Sequence, residues 1–218
     1  MTTSGLKRLT LATVLAGSLA AALSACAPLV VGGVVVGGAL VATDRRTSGA
    51  QLEDEGIELR AVNRIKDAMG DKAHVNVTSF NRQVLLTGEA PTAKDRAQIE
   101  TVVRGVDNVR SVVNELAVMP NSSLGSRSND TLITGKVKAS LVDAKDLSLN
   151  AFKVVTERST VYLMGIVTTR EVNRATEIAR GVGGVEKVVR VFEIISEEEL
   201  ARSQPKPAPV TADPAAKN

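Results

Sequence analysis

The chain has 218 residues, of which 23% are charged and only 2% aromatic, with no Trp, one Tyr and three Phe. Its formal net charge of +3 includes Lys7 and Arg8, which leave with an export signal, so the mature chain is near neutral and lacks the dense basic face of a general nucleic-acid binder. One Cys and one His exclude an internal disulfide and any metal site of the His/Cys type.

Residues 1–25 read as a bacterial signal peptide. Lys7 and Arg8 form its positive end, and an uncharged apolar run from Leu9 to Leu23 follows. Leu23-Ser24-Ala25-Cys26 matches a lipobox, so Cys26 is expected to be acylated and to become the new N-terminus. Acyl chains such as palmitate contribute about 0.8 kcal/mol per buried CH₂, and two or more anchor stably. Residues 26–51 are the expected tether. It includes Leu29–Ala42, whose 14 apolar and Gly residues fall short of the ~20 needed to span a bilayer.

The rest of the chain is one unit written twice. Arg104-Gly105-Val106 returns as Arg180-Gly181-Val182, and Val84-Leu85-Leu86-Thr87-Gly88 as Val161-Tyr162-Leu163-Met164-Gly165. The first unit, residues 52–120, opens with a helix over Leu52–Met69, its core stripe read as Leu59, Val62, Ile65 and Met69. Strands at 74–78 and Gln83–Thr87 make a hairpin turning at Asn81-Arg82, and Gly88 is expected to end it. A helix over Thr92–Arg104, capped by Thr92 and stopped by Gly105, leads to a last strand at Val109–Val118.

Residues 121–128 read as a Ser/Gly linker. The second unit, residues 129–196, repeats the order: a helix over Thr131–Leu141 with Ile133, Val137 and Leu141 inward, then strands at 152–156 and Thr160–Met164. The turn lies at Arg158-Ser159, and Gly165 ends the hairpin. A helix over Thr169–Arg180 and a strand over Val185–Ile194 complete the unit. The fold class expected is α+β: two tandem αββαβ domains, each with two helices packed on a three-stranded mixed sheet. Residues 197–218, rich in Pro, Ala and Lys after Glu199, read as a disordered tail.

Nothing in the sequence converges on catalysis. His74 is alone, and the carboxylate runs Glu53-Asp54-Glu55 and Glu197-Glu198-Glu199 read as solvated faces. No catalytic residue, metal ligand or cofactor is expected, and the chain reads as a non-enzyme. The units differ in charge: Leu52–Pro120 holds 9 basic against 11 acidic residues, and Asn129–Ser196 holds 10 against 8. An anionic bilayer therefore favours the second unit. On its first helix Leu132 lies roughly 130° from the core stripe and is expected to face outward between Lys136 and Lys138. That placement puts Leu132 near the helix N-terminus, whose free N–H groups suit a phosphate.

The repeated αββαβ unit ending in Gly-Val-x-x-Val resembles the BON domain. A lipobox followed by two such units is similar to the dual-BON outer-membrane lipoprotein family, known as DolP or YraP. Ala42-Thr43-Asp44-Arg45-Arg46, Val75-Asn76-Val77-Thr78 and Ser128-Asn129-Asp130-Thr131 extend the likeness. The resemblance implies a periplasm-facing protein of the outer membrane that supports envelope integrity, gathers at division sites and binds anionic phospholipid (phosphatidylglycerol or cardiolipin) through its second unit. It implies contacts at Thr131, Leu132, Lys136 and Lys138, with Asn129 and Asp130 near the headgroups. Leu132 stands where the family pattern has an aromatic, so weaker affinity is expected. Outer-membrane assembly proteins are the alternative partners.

Overall fold

The computed structural model describes residues 44–203, so Cys26, the tether before Asp44 and the tail after Ser203 lie outside the described residues. The elements are α1 (Ser48–Met69), β1 (His74–Phe80), β2 (Gln83–Ala90), α2 (Ala93–Arg104), β3 (Ser111–Asn114), β4 (Ala117–Val118), α3 (Leu124–Asp143), a 3₁₀ turn (Leu149–Ala151), β5 (Phe152–Glu157), β6 (Thr160–Val167), α4 (Thr169–Gly181), β7 (Lys187–Ile194) and α5 (Glu197–Ser203). The α+β fold and its internal duplication follow the expected order.

Each sheet has a hairpin, β1–β2 or β5–β6, whose second strand pairs in parallel with the strand after the helix. In the first domain that last strand is split into β3 and β4, both pairing with β2. Between them Leu116 turns into the core, and its N–H donates to Asn114 Oδ1 at 3.2 Å.

Gly88 and Gly165 do not end their strands; both lie inside them. Their role is steric. A Cβ on Gly88 would stand 2.1 Å from the His74 carbonyl oxygen, and one on Gly165 would stand 2.3 Å from that of Ala151. The chain crosses so closely there that only a residue without a side chain fits.

The hairpin turns carry a local cost. Asn81, Arg82, Arg158 and Ser159 all have positive φ, between 49° and 65°. Such turns favour Asn and Gly, and two of these four residues are Arg. A buried aspartate compensates in each domain. Asp54 of α1 accepts the Asn81 and Arg82 N–H groups and the Ser79 hydroxyl at 2.7–2.8 Å. Asp130 of α3, 76 residues later, accepts the Arg158 and Ser159 N–H groups at 2.9 Å. One carboxylate thus fastens a helix to the hairpin it packs upon.

That aspartate also explains an error of phase in α1. The buried stripe is Asp54, Ile57, Ala61, Ile65 and Met69, whereas Leu59 and Val62 are exposed. A stripe that starts on an acid and includes a small Ala looks polar, so the larger neighbours mislead. In the second unit α3 begins at Leu124, seven residues before the expected start, capped by Ser123. Most of the expected linker is therefore helix. At the other end, residues 197–203 form α5, where the Ser196 hydroxyl accepts from the Glu199 N–H and the Ser196 N–H donates to Glu199 Oε2.

Replacing Gly165 by Ala is expected to destabilise the protein by about 3 kcal/mol, because the obstacle is backbone and cannot rotate away. Asp54→Ala, which strands two turn N–H groups and Arg46, is expected to cost about 3 kcal/mol as well. Urea denaturation of each variant measures both.

Candidate functional site

The strands alternate, and both faces of each sheet are apolar. Val84, Leu86 and Val112 pack under α1 and α2, and Val161, Leu163 and Val154 pack under α3 and α4. The intervening residues form a third core: Phe80 and Leu85 meet Tyr162, Met164 and Val191, with Val113, Val155, Ile166 and Val189 around them. The two sheets thus face each other, and the helices occupy the outer layers. The order is helix, sheet, sheet, helix.

Polar contacts frame this junction. Arg158 donates to the Gly88 carbonyl oxygen at 2.8 Å and to Glu89 Oε1 at 3.0 Å. Asn76 donates to Glu157, and Asn81 and Arg110 both donate to Glu193. The segment entering α1 adds a clasp. Arg45 holds Glu171 of the second domain with bonds of 2.8 and 2.7 Å, while Arg46 holds Asp54 of the first at 2.8 Å and lies 4.1 Å over the Phe80 ring. Adjacent residues therefore grip different domains.

These contacts set the charge states. Burial opposes ionisation of Asp54, yet the Ser79 hydroxyl, the Arg82 N–H, Arg46 and the Asn81 N–H together hold its carboxyl below the usual range. Glu171 is likewise opposed by burial and held low by Arg45 and the Thr168 N–H. Glu157 goes the other way: burial and the charge of Glu89 raise it, against the single hydrogen bond from Asn76.

On the outer face of the second domain, the expected residues of α3 divide. Leu132 is 64% exposed, and Asn129, Thr131, Lys136 and Lys138 are exposed too. Thr131 spends its hydroxyl on the Arg127 carbonyl oxygen. Asp130 is the exception. It is buried, facing the hairpin rather than solvent, because its oxygens serve the turn. Nor does Leu132 lie at a helix N-terminus: the helix starts two turns earlier, and the free N–H groups belong to the residues after Ser123.

The longer helix supplies a different surface. At 100° per residue, Leu124, Ser128, Thr131, Leu132, Gly135, Ala139 and Val142 fall within an arc of roughly 100°. All seven are exposed and uncharged. Lys138 borders the arc on one side, and Lys136 borders it on the other together with Asp143 at the helix end. The face runs about 30 Å along the 20-residue helix. Sequence reasoning found Leu132 and missed Leu124 and Val142. Their spacing of eight and ten residues from Leu132 was the available signal. No helix among the described residues is long and apolar enough to cross a membrane.

The BON domain matches this chain twice, at residues 54–120 and 129–196. The outer membrane lipoprotein DolP of Haemophilus influenzae is 37% identical over 175 residues, covering 79% of this chain and 90% of that protein. The chain belongs to the DolP-like family of dual-BON lipoproteins. A 21 kDa hemolysin of Actinobacillus pleuropneumoniae is 34% identical over 154 residues, covering 70% of this chain and 79% of that one. An uncharacterized protein in the gshII 5′ region of Anaplasma centrale is 29% identical over 138 residues, covering 62% and 91%.

For this DolP-like protein the Arg45–Glu171 contact predicts an acid limb of stability. The folded pKa of Glu171 lies below its ordinary 4.5, so its contribution is full above that pH and is lost as pH falls through the folded value. Glu171→Gln is expected to flatten this limb, and Arg45→Ala to cost about 3 kcal/mol at neutral pH by leaving a buried charge alone. Thermal unfolding followed from pH 7 down to about 3 reads both.

Proposed function

We propose that the protein is a non-enzymatic outer-membrane lipoprotein, anchored through acylated Cys26 and facing the periplasm, whose second domain docks on anionic phospholipid through the outer face of α3. The observation that carries this reading is the uncharged, exposed face from Leu124 to Val142 with a lysine on each side. A soluble helix normally turns charge outward. α3 buries Ile133, Val137 and Leu141 and still presents Leu124, Leu132 and Val142 to solvent. Such a face, bordered by cations, lies in the headgroup region with its apolar residues inserted. Each nearby lysine adds about 1 kcal/mol on an anionic surface. Phosphatidylglycerol and cardiolipin supply that surface. The family relationship supports the outer-membrane location, and support of envelope integrity, at division sites, is part of the same reading. Acylation and docking act in series: the chains hold the molecule to the bilayer, and α3 orients it.

A second reading rests on the opposite layer. Leu52, Leu59 and Val62 are exposed on α1, on the side of the body away from α3. A molecule seated on lipid by α3 turns this face toward the periplasm, where an outer-membrane assembly protein could dock.

Flotation of the Cys26→Ser protein with vesicles tests the first reading. Binding is expected with phosphatidylglycerol vesicles and not with neutral ones. Leu132→Ala is expected to weaken it roughly tenfold and Lys136→Ala roughly fivefold, while Leu59→Ala leaves it unchanged. Equal loss from Leu59→Ala, or none from the Leu132 and Lys136 double variant, rejects the α3 surface.

A further inference from the structure

One cluster at the domain boundary is only half explained by the fold. His74 begins β1, Glu89 lies near the end of β2, and Glu157 ends β5 in the other domain. One nitrogen of the imidazole and one oxygen of each carboxylate all lie within 4.8 Å of one another. Glu89 is fully buried and Glu157 is 2% exposed. Two carboxylates meet here, and Arg158 bridges to only one of them, Glu89. Glu157 is met by a neutral amide, Asn76 Nδ2, at 2.8 Å on Oε2. A buried carboxylate matched by an amide and not by a cation is costly to ionise. The site is also reachable: a cavity of about 330 Å³ opens onto His74, Asn76 and Glu157, bounded by Thr131 and Thr134 of α3.

The geometry points to a binding site for a divalent transition-metal cation of the zinc type, held by His74 Nδ1, Glu89 Oε2 and one oxygen of Glu157, with water from the cavity as fourth ligand. Imidazole nitrogen with two carboxylate oxygens suits such an ion, whereas magnesium and calcium take oxygen alone. Zinc bonds of about 2.0–2.2 Å place tetrahedral ligand atoms about 3.3–3.6 Å apart. His74 Nδ1 and Glu89 Oε2 already stand 3.0 Å apart, and an oxygen of Glu157 lies within 4.8 Å of a ligand atom of each. The outer shell is in place. Asn76 orients Glu157, and the Ser122 N–H and Arg158 orient Glu89. Two ligands come from the first domain and one from the second, so the ion fastens the domain junction from its rim.

Isothermal titration of the full, metal-stripped chain with zinc chloride at about pH 7.5 tests the site. One zinc per chain is expected, with a thermal midpoint that rises with zinc concentration and does not respond to magnesium. Glu157→Gln keeps the shape and an oxygen for Asn76 and is expected to weaken binding at least tenfold. His74→Asn does the same, and Asn76→Ala weakens it by about tenfold through the outer shell. If His74→Asn fails to fold, the folded Glu157→Gln protein carries the test. No saturable zinc binding, or unchanged affinity in Glu157→Gln, overturns the site.

Discussion

Burial of one sheet face against the other is the constraint on which this molecule depends. A three-stranded sheet covered by helices on one side leaves its other side in water, and in each domain here that side is apolar. Leu85 in one sheet and Tyr162 and Met164 in the other are almost completely buried only because the domains meet. Each such side chain contributes about 1.5–3 kcal/mol. Separation of the domains would expose them all together, so the pair behaves as one body rather than two beads on a string. The polar frame around the contact then selects one orientation. Arg158, Asn81 and Arg110 each find partners in the opposite domain, and a sliding of the sheets would break several of these bonds at once.

The rigid body gives the outer layers their meaning. With both sheets in the middle, α3 and α1 are turned to opposite sides, so a surface bound by one leaves the other free. The clasp of Arg45 and Arg46 ties this arrangement to the segment through which the chain leaves toward Cys26. Because neighbouring arginines hold different domains, the entry of the tether is fixed to the junction itself. On the proposed function, a lipid-held N-terminus and a lipid-facing α3 would act on one solid object, each reducing the freedom the other has to restrict.

The duplication shows how the two copies diverged in use while keeping their mechanics. Asp54 and Asp130 do the same work of holding a strained hairpin turn, and Gly88 and Gly165 permit the same close crossing. What differs lies on the surface and at the junction. Asp54 also takes Arg46, whereas Asp130 pairs with no arginine side chain among the described residues. Glu89 and Glu157 are pieces of unrelated positions in the repeat that the junction brings together, with His74, into one cluster. A site made this way belongs to neither domain alone.

Much of this was legible in the residues. Periodicity, turn residues and the 76-residue repeat determined the element order and the two αββαβ units. The lipobox pattern at Cys26 and the outward position of Leu132 are likewise local facts of spacing. Val84-Leu85-Leu86 and Val161–Met164 carried a further signal, since uninterrupted apolar strands are buried on both faces; that pattern alone did not say what covers the second face. Tertiary structure decided the rest, for reasons of distance. The burial of Asp130 depends on two N–H groups some 28 residues away, the exposure of Leu59 and Val62 on which side of α1 meets the sheet, and the His74–Glu89–Glu157 cluster on residues 83 apart in the chain. Local spacing sets which residues share a strand or a helix face; only the packing of one face on another sets which buried charges meet.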